Sequence, residues 1–93
     1  TYTDRESGED VKLETGGVFI EIGALPNSEI AKGLVDINDY GEIVLDHHDS
    51  STSKPGIFAA GDVTDERFKQ NNISAGDGVK AALAAYHYVL KNK

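Results

Sequence analysis

Two short apolar runs, each closed by glycine at both ends, set the limits on this chain. Val18-Phe19-Ile20-Glu21-Ile22 lies between Gly17 and Gly23, and Ile57-Phe58-Ala59-Ala60 lies between Gly56 and Gly61. Runs of this length and composition predict strands that are largely buried. Such strands need cover on their faces and neighbours at their edges. The 93 residues make one domain at most, and at this size folding buries about 64% of the unfolded chain's surface. The two runs therefore need partners within the chain or a second copy, and otherwise leave exposed edges.

The rest of the chain reads as short elements and one long one. Tyr2 and Thr3 pair with a strand over residues 11–15 across the polar turn Asp4-Arg5-Glu6-Ser7-Gly8-Glu9. Residues 28–32 predict one helical turn, capped by Asn27 or Ser28 and stopped by Gly33. Val35 and Ile37, then Ile43 and Leu45, alternate with polar residues around Asn38-Asp39-Tyr40-Gly41, which predicts a hairpin. Residues 46–54 are polar and irregular, and residues 63–73 form a loop of 11 residues, long enough to point to a function. Val79, Leu83, Tyr86 and Leu90, with Ala82 and Val89 on the same side, predict a helix with an apolar stripe, capped by Asn72 or Ser74.

Composition removes several function classes. The chain has no Cys, so disulfides, zinc–thiolate sites and thiol redox chemistry are excluded within it. A net charge of −7 without a basic run argues against nucleic-acid and anionic-membrane partners. No apolar stretch approaches the ~20 residues of a membrane span, and no secretory or transit segment opens the chain. With no Met and a start at Thr1, the chain reads as a piece of something longer.

Two places can carry chemistry. Gly61-Asp62 follows the second apolar run, and ligands of open α/β sheets bind at the C-terminal ends of strands. There a glycine admits a ligand close to the backbone, and an ionised Asp accepts hydrogen bonds from sugar or polyol hydroxyls. Asp62 can equally serve only to organise its turn. The second place is the helix start, Lys69-Gln70-Asn71-Asn72-Ile73-Ser74-Ala75-Gly76-Asp77-Gly78. Free N–H groups and a partial positive charge collect there. Gly76 and Gly78 each cost a helix roughly 1 kcal/mol, for which close packing or ligand contact is the compensating gain. Asp46-His47-His48-Asp49 reads as a solvated loop rather than a metal site, because adjacent side chains on an extended chain point apart.

Taken together, these segments carry a resemblance. Thr15-Gly16-Gly17-Val18-Phe19-Ile20-Glu21-Ile22-Gly23-Ala24-Leu25-Pro26-Asn27 resembles the stretch that re-enters the FAD domain of two-domain flavoproteins. Residues 52–62 resemble their second FAD motif, and Val63, Lys69-Gln70 and the Ala/Gly-rich helix continue the likeness to Leu90. The chain is similar to the thioredoxin reductase-like, FAD-dependent pyridine nucleotide-disulfide oxidoreductases, with the flavoprotein component of alkyl hydroperoxide reductase a nearer match within them. The resemblance implies an α/β fold, part of a two-domain FAD/NAD(P)-binding architecture with short strands, hairpins and one long C-terminal helix. Residues 1–23 would be the last strands of the inserted NAD(P)H-binding domain, and residues 24–93 the C-terminal part of the FAD-binding domain.

The resemblance also implies site residues. Asp62 would bind the ribityl or pyrophosphate-proximal hydroxyls of FAD, with Gly61 and Val63 passing close. Gln70, Asn71, Ser74 and Ala75 would face the pyrimidine edge of the isoalloxazine, and Lys69 would sit beside the ring. Asn71 stands where relatives commonly carry an apolar residue. The parent would pass hydride from NAD(P)H through FAD to a disulfide of a thioredoxin-like or peroxiredoxin-system partner, as a cytoplasmic homodimer. The chain alone would be inactive. Two alternatives stand beside this: a ferredoxin–NADP reductase-like relative without a redox disulfide, and a free-standing oligomerising module with no enzymatic activity.

Overall fold

Turn chemistry shapes the N-terminal end of the chain. A computed structural model describes residues 1–93. The Asp4 carboxylate accepts the amides of Glu6 at 2.7 Å and Ser7 at 3.3 Å, closing the turn on which β1 (Tyr2–Thr3) meets β2 (Asp10–Val11). Tyr2 faces Val11 and Thr3 faces Asp10 in an antiparallel pair. The second strand is thus Asp10–Val11, not residues 11–15. The register offers β1's two residues no later partners.

Residues 18–22 correct the expectation of a buried strand. They pair with nothing in the chain and lie open, with Phe19 97% and Ile22 90% exposed. A strand is a tertiary object, and no partner edge is present for this one. No hydrogen bond joins residues 1–27 to the remainder.

From Ser28 onward the segments interlock. A 3-10 turn forms at Glu29–Ala31, with Ser28 at its start but no side-chain cap. The hairpin forms as expected: Asn38 N–H donates to Glu42 O at 2.9 Å, Ile37 bridges Ile43, and Gly41 takes a φ of 81°. Ile43 then pairs in parallel with the segment around Thr64, donating to Val63 O at 2.9 Å and accepting from Asp65 N at 3.0 Å. Val35 and Ile43 are the buried apolar side chains. Residues 57–60 are half-buried rather than buried, and Phe58 makes one antiparallel bridge, to Ser51.

Lys54-Pro55-Gly56-Ile57 makes a tight turn, with Ile57 N–H donating to Lys54 O at 3.1 Å and Gly56 at a φ of 84°. Pro at the second position and a positive-φ Gly at the third mark type II geometry. A Cβ on Gly56 would lie 3.4 Å from Tyr88 Cε1. Gly56→Ala is expected to cost about 1–2 kcal/mol through its left-handed backbone. Amide exchange at Ile57 should then quicken by about tenfold, the ratio for ~1.4 kcal/mol; an unchanged rate would show that the turn relaxes freely.

The helix α1 (Asn71–Lys91) begins earlier than expected, so the preceding loop ends at Gln70. Gln70, extended at φ −129°, is the N-cap and bonds through its carbonyl to Ser74 N–H at 2.9 Å. Neither Asn72 nor Ser74 caps it. The helix also packs on the face opposite its apolar stripe. Ile73, Ser74, Asp77, Ala81, Ala84 and Ala85 are half-buried, whereas Val79, Leu83 and Tyr86 are 62%, 59% and 60% exposed. Tyr88 meets Phe58 edge-on at 6.0 Å, and Lys80 Nζ donates to His47 O at 2.9 Å.

These pairings leave an extended body. The radius of gyration is 19.2 Å, against about 12 Å for a compact chain of this length. The accessible surface is 7731 Å², roughly half as much again as the ~5,200 Å² of a folded protein this size.

Candidate functional site

Gly61, Asp62 and the start of α1 come together. Gly61 has a φ of 83°, and a Cβ placed on it would lie 3.5 Å from Ser74 Cβ and Oγ. Its carbonyl accepts Thr64 N–H at 3.0 Å and the Thr64 hydroxyl at 2.7 Å. Thr64 is fully buried and locks the turn from beneath. Asp62 is exposed, and Ser74 Oγ donates to its Oδ1 at 3.0 Å. Ser74 therefore ties the helix to the carboxylate instead of capping the helix. Half-buried Val63 sends its carbonyl to Ile43.

The N-terminus of α1 is open. It has no side-chain cap and no acidic residue in its first turn. The amides of Asn71, Asn72 and Ile73 have no acceptor in the chain. Three free donors and the positive end of the helix dipole thus lie beside a carboxylate acceptor. Gln70 and Asn71 are both exposed at this end. A Cβ on Gly76 or Gly78 would meet nothing within 4 Å, so packing within this chain does not account for those glycines.

Lys69 is held by groups that sequence reading missed. Its amine donates to the Thr64 carbonyl and pairs with Glu42 Oε1 at 2.9 Å. Asn38 Nδ2 donates to the other Glu42 oxygen at 2.8 Å, while Asn38 Oδ1 accepts the amides of Tyr40 and Glu42. The Asn38 hydrogen bond, then the hydrogen bond and charge of Lys69, hold the Glu42 carboxyl below its ordinary 4.5. A depressed pKa means stability that is full above 4.5 and is lost as pH falls through the lower folded value. The Glu42 carboxyl resonance should titrate below 4.5, and Asn38→Ala and Lys69→Met should each move it up. A titration at 4.5 in the unaltered protein would refute the pairing. The signal for Glu42 lay only in its place after the hairpin glycine, which also suits a solvated residue.

His47 is part of the scaffold, whereas His48 is exposed and bonds through its backbone. His47 Nε2 lies 2.9 Å from Asp65 Oδ1, while Asp46 and Asp49 accept the backbone amides of His48 and Ser51 at 2.9 Å each. An open cleft of about 530 Å³ lies between this loop and the C-terminal half of α1, lined by residues such as Ser51, Pro55, Phe58, His87 and Lys91. Thr52, Ser53 and Gly56 of the 52–62 segment line it, whereas Gly61, Asp62, Val63 and the residues from Lys69 to Ser74 do not. Gly61, Asp62 and the start of α1 meet outside that cleft.

The model of the pyridine nucleotide-disulphide oxidoreductase family matches residues 2–82. The chain is 50% identical over 92 residues to an NADH dehydrogenase of Bacillus subtilis (strain 168), covering 99% of this chain and 18% of that protein. It is 48% identical over 91 residues to one component of the alkyl hydroperoxide reductase of Staphylococcus aureus (strain MW2), covering 98% and 18%. It thus spans under a fifth of the length of these curated relatives. Among solved structures, the thioredoxin reductase of T. acidophilum superposes with a TM-score of 0.81 at 42% identity, over 96% of this chain and 29% of that one. The Lactococcus lactis thioredoxin reductase does so at 0.77 and 38% identity, over 92% and 28%. The fold class is therefore the FAD/NAD(P)-binding α/β class of those reductases, of which this chain forms a part.

Proposed function

Because the chain belongs to the pyridine nucleotide-disulphide oxidoreductase family, we propose that it is the C-terminal FAD-binding segment of a longer thioredoxin reductase-like flavoprotein. In that parent, hydride passes from NAD(P)H through FAD to a disulfide. Residues 24–93 belong to the FAD-binding domain, and residues 1–23 end the inserted NAD(P)H-binding domain. The lack of any hydrogen bond between residues 1–27 and the rest supports a boundary near there. The parent works as a cytoplasmic homodimer on a thioredoxin-like or peroxiredoxin-system protein, and the chain alone is inactive.

One observation carries the FAD reading: an exposed carboxylate, a positive-φ glycine and three unpartnered helix amides meet at one corner. The residues fit the group, since a flavin nucleotide offers hydroxyl donors and carbonyl acceptors, and this corner offers their complements. FAD, when bound, supplies the hydride chemistry. Asp62 accepts hydrogen bonds from its hydroxyls. Gly61 and Val63 allow the backbone to approach, with Thr64 fixing the turn. Gln70, Asn71 and Ser74, with the first amides of α1, face the pyrimidine edge, where the helix dipole favours negative charge. Lys69 adds a cation on that side.

The natural gene product that contains this chain should be several-fold heavier than the chain and carry flavin absorbance that NADH or NADPH bleaches. A colourless product would sink the proposal. The 50% identity to a protein named NADH dehydrogenase favours NADH as donor, and it supports a second reading in which the acceptor is not a disulfide. NADH-driven reduction of a small dye but of no protein disulfide would select that second reading.

A further inference from the structure

Glu42 and Lys69 come from different parts of the fold, the hairpin and the segment that leads into α1. Their side chains are 21% and 26% exposed, with 2.9 Å between charged atoms. Asn38 holds the far oxygen of Glu42, and the Thr64 carbonyl holds a second proton of the Lys69 amine. The Lys69 amine is therefore a fixed cation with a fixed counter-charge. Gln70, the N-cap of α1, follows it directly.

We propose that Glu42 is a positioning residue for Lys69: it sets both where the Lys69 cation stands and how much of its charge reaches the flavin edge. This rests on the FAD-binding reading above. With the carboxylate in place, the pair is neutral overall and its field is that of a dipole. Without it, the cation is uncompensated. At an effective dielectric of ~20, unit charges still interact at the tenfold level out to roughly 12 Å. Negative charge gained by the flavin on reduction would then be better stabilised, and the midpoint potential would rise.

The experiment is a double-mutant cycle on the parent flavoprotein, read as the flavin midpoint potential by dye equilibration. Glu42→Gln keeps the side-chain size and should raise the reduced-to-oxidised ratio at fixed potential by about tenfold, which is ~30 mV for a two-electron couple. Lys69→Met should move the ratio the other way. In the Lys69→Met background Glu42→Gln removes only its own charge, so its rise should be smaller than in the unaltered protein, the difference being what Glu42 does by holding Lys69. Glu42→Asp, whose charge is drawn back by one methylene, should give a smaller rise and serves where Glu42→Gln loses FAD. An unchanged potential in a flavin-loaded Glu42→Gln or Glu42→Asp variant, whatever its thermal midpoint, would leave Glu42 as a structural tie and overturn the proposal. A parent that neither carries nor takes up FAD would overturn the FAD reading, and this inference with it.

Discussion

Asp62→Ala should weaken FAD binding by the parent protein about 10- to 100-fold, the scale of ~1.5–3 kcal/mol for hydrogen bonds to a charged group. The argument rests on how little else Asp62 does. It is exposed, and the chain makes one hydrogen bond to it, from Ser74. Its loss therefore costs folding on the order of 1 kcal/mol or less. Asp49→Ala is the control, since it too removes an exposed turn carboxylate, one that accepts the Ser51 amide away from this corner. It should change FAD affinity far less than Asp62→Ala. Flavin fluorescence on dilution gives both affinities. Full retention of FAD by the Asp62→Ala protein would remove this residue from the site.

The 93-residue chain, produced alone, should associate rather than behave as a monomer. Val18, Phe19, Ile20 and Ile22 form an unbroken exposed apolar strip apart from Glu21, at 77%, 97%, 73% and 90% exposure. The helix adds a second strip on the face that packs against nothing in the chain. Burial of such surface is worth about 25 cal/mol per Å², and an unpaired strand is a template for its own copies. Sedimentation velocity at micromolar concentration should show large species. Phe19→Lys with Ile22→Lys, and Val79→Lys with Leu83→Lys, should each reduce them, and all four together should leave a monomer. A wild-type chain that is monomeric and unfolds reversibly in one transition would refute this.

What was legible in the sequence was local. The hairpin at Asn38 and Gly41 and the turn at Pro55 and Gly56 are written in neighbouring residues. The existence of the long helix is written in its alanines and its period. The start of α1 is easily misread because Ser74 looks like a cap, and only the fold reveals that its hydroxyl serves Asp62. Strand character at residues 18–22 depends on a partner edge, which no local pattern records. The stripe on α1 marks which face is apolar, but the face this chain uses is the one with alanines and Asp77. Glu42 was invisible for the same reason: its meaning lies in Lys69, far along the chain.

The density of short-range side-chain to backbone bonds has a kinetic consequence. Asp4, Asn38, Asp46, Asp49, Thr52, Thr64 and Glu66 each accept an amide within four residues of themselves. Closing loops so small takes on the order of 100 ns or less, far faster than the pairing of distant strands. These bends are therefore set before any apolar strip finds its cover. The rest of the parent would then dock onto a surface whose contours already exist, and the slow step would be the meeting of distant segments rather than the shaping of this one.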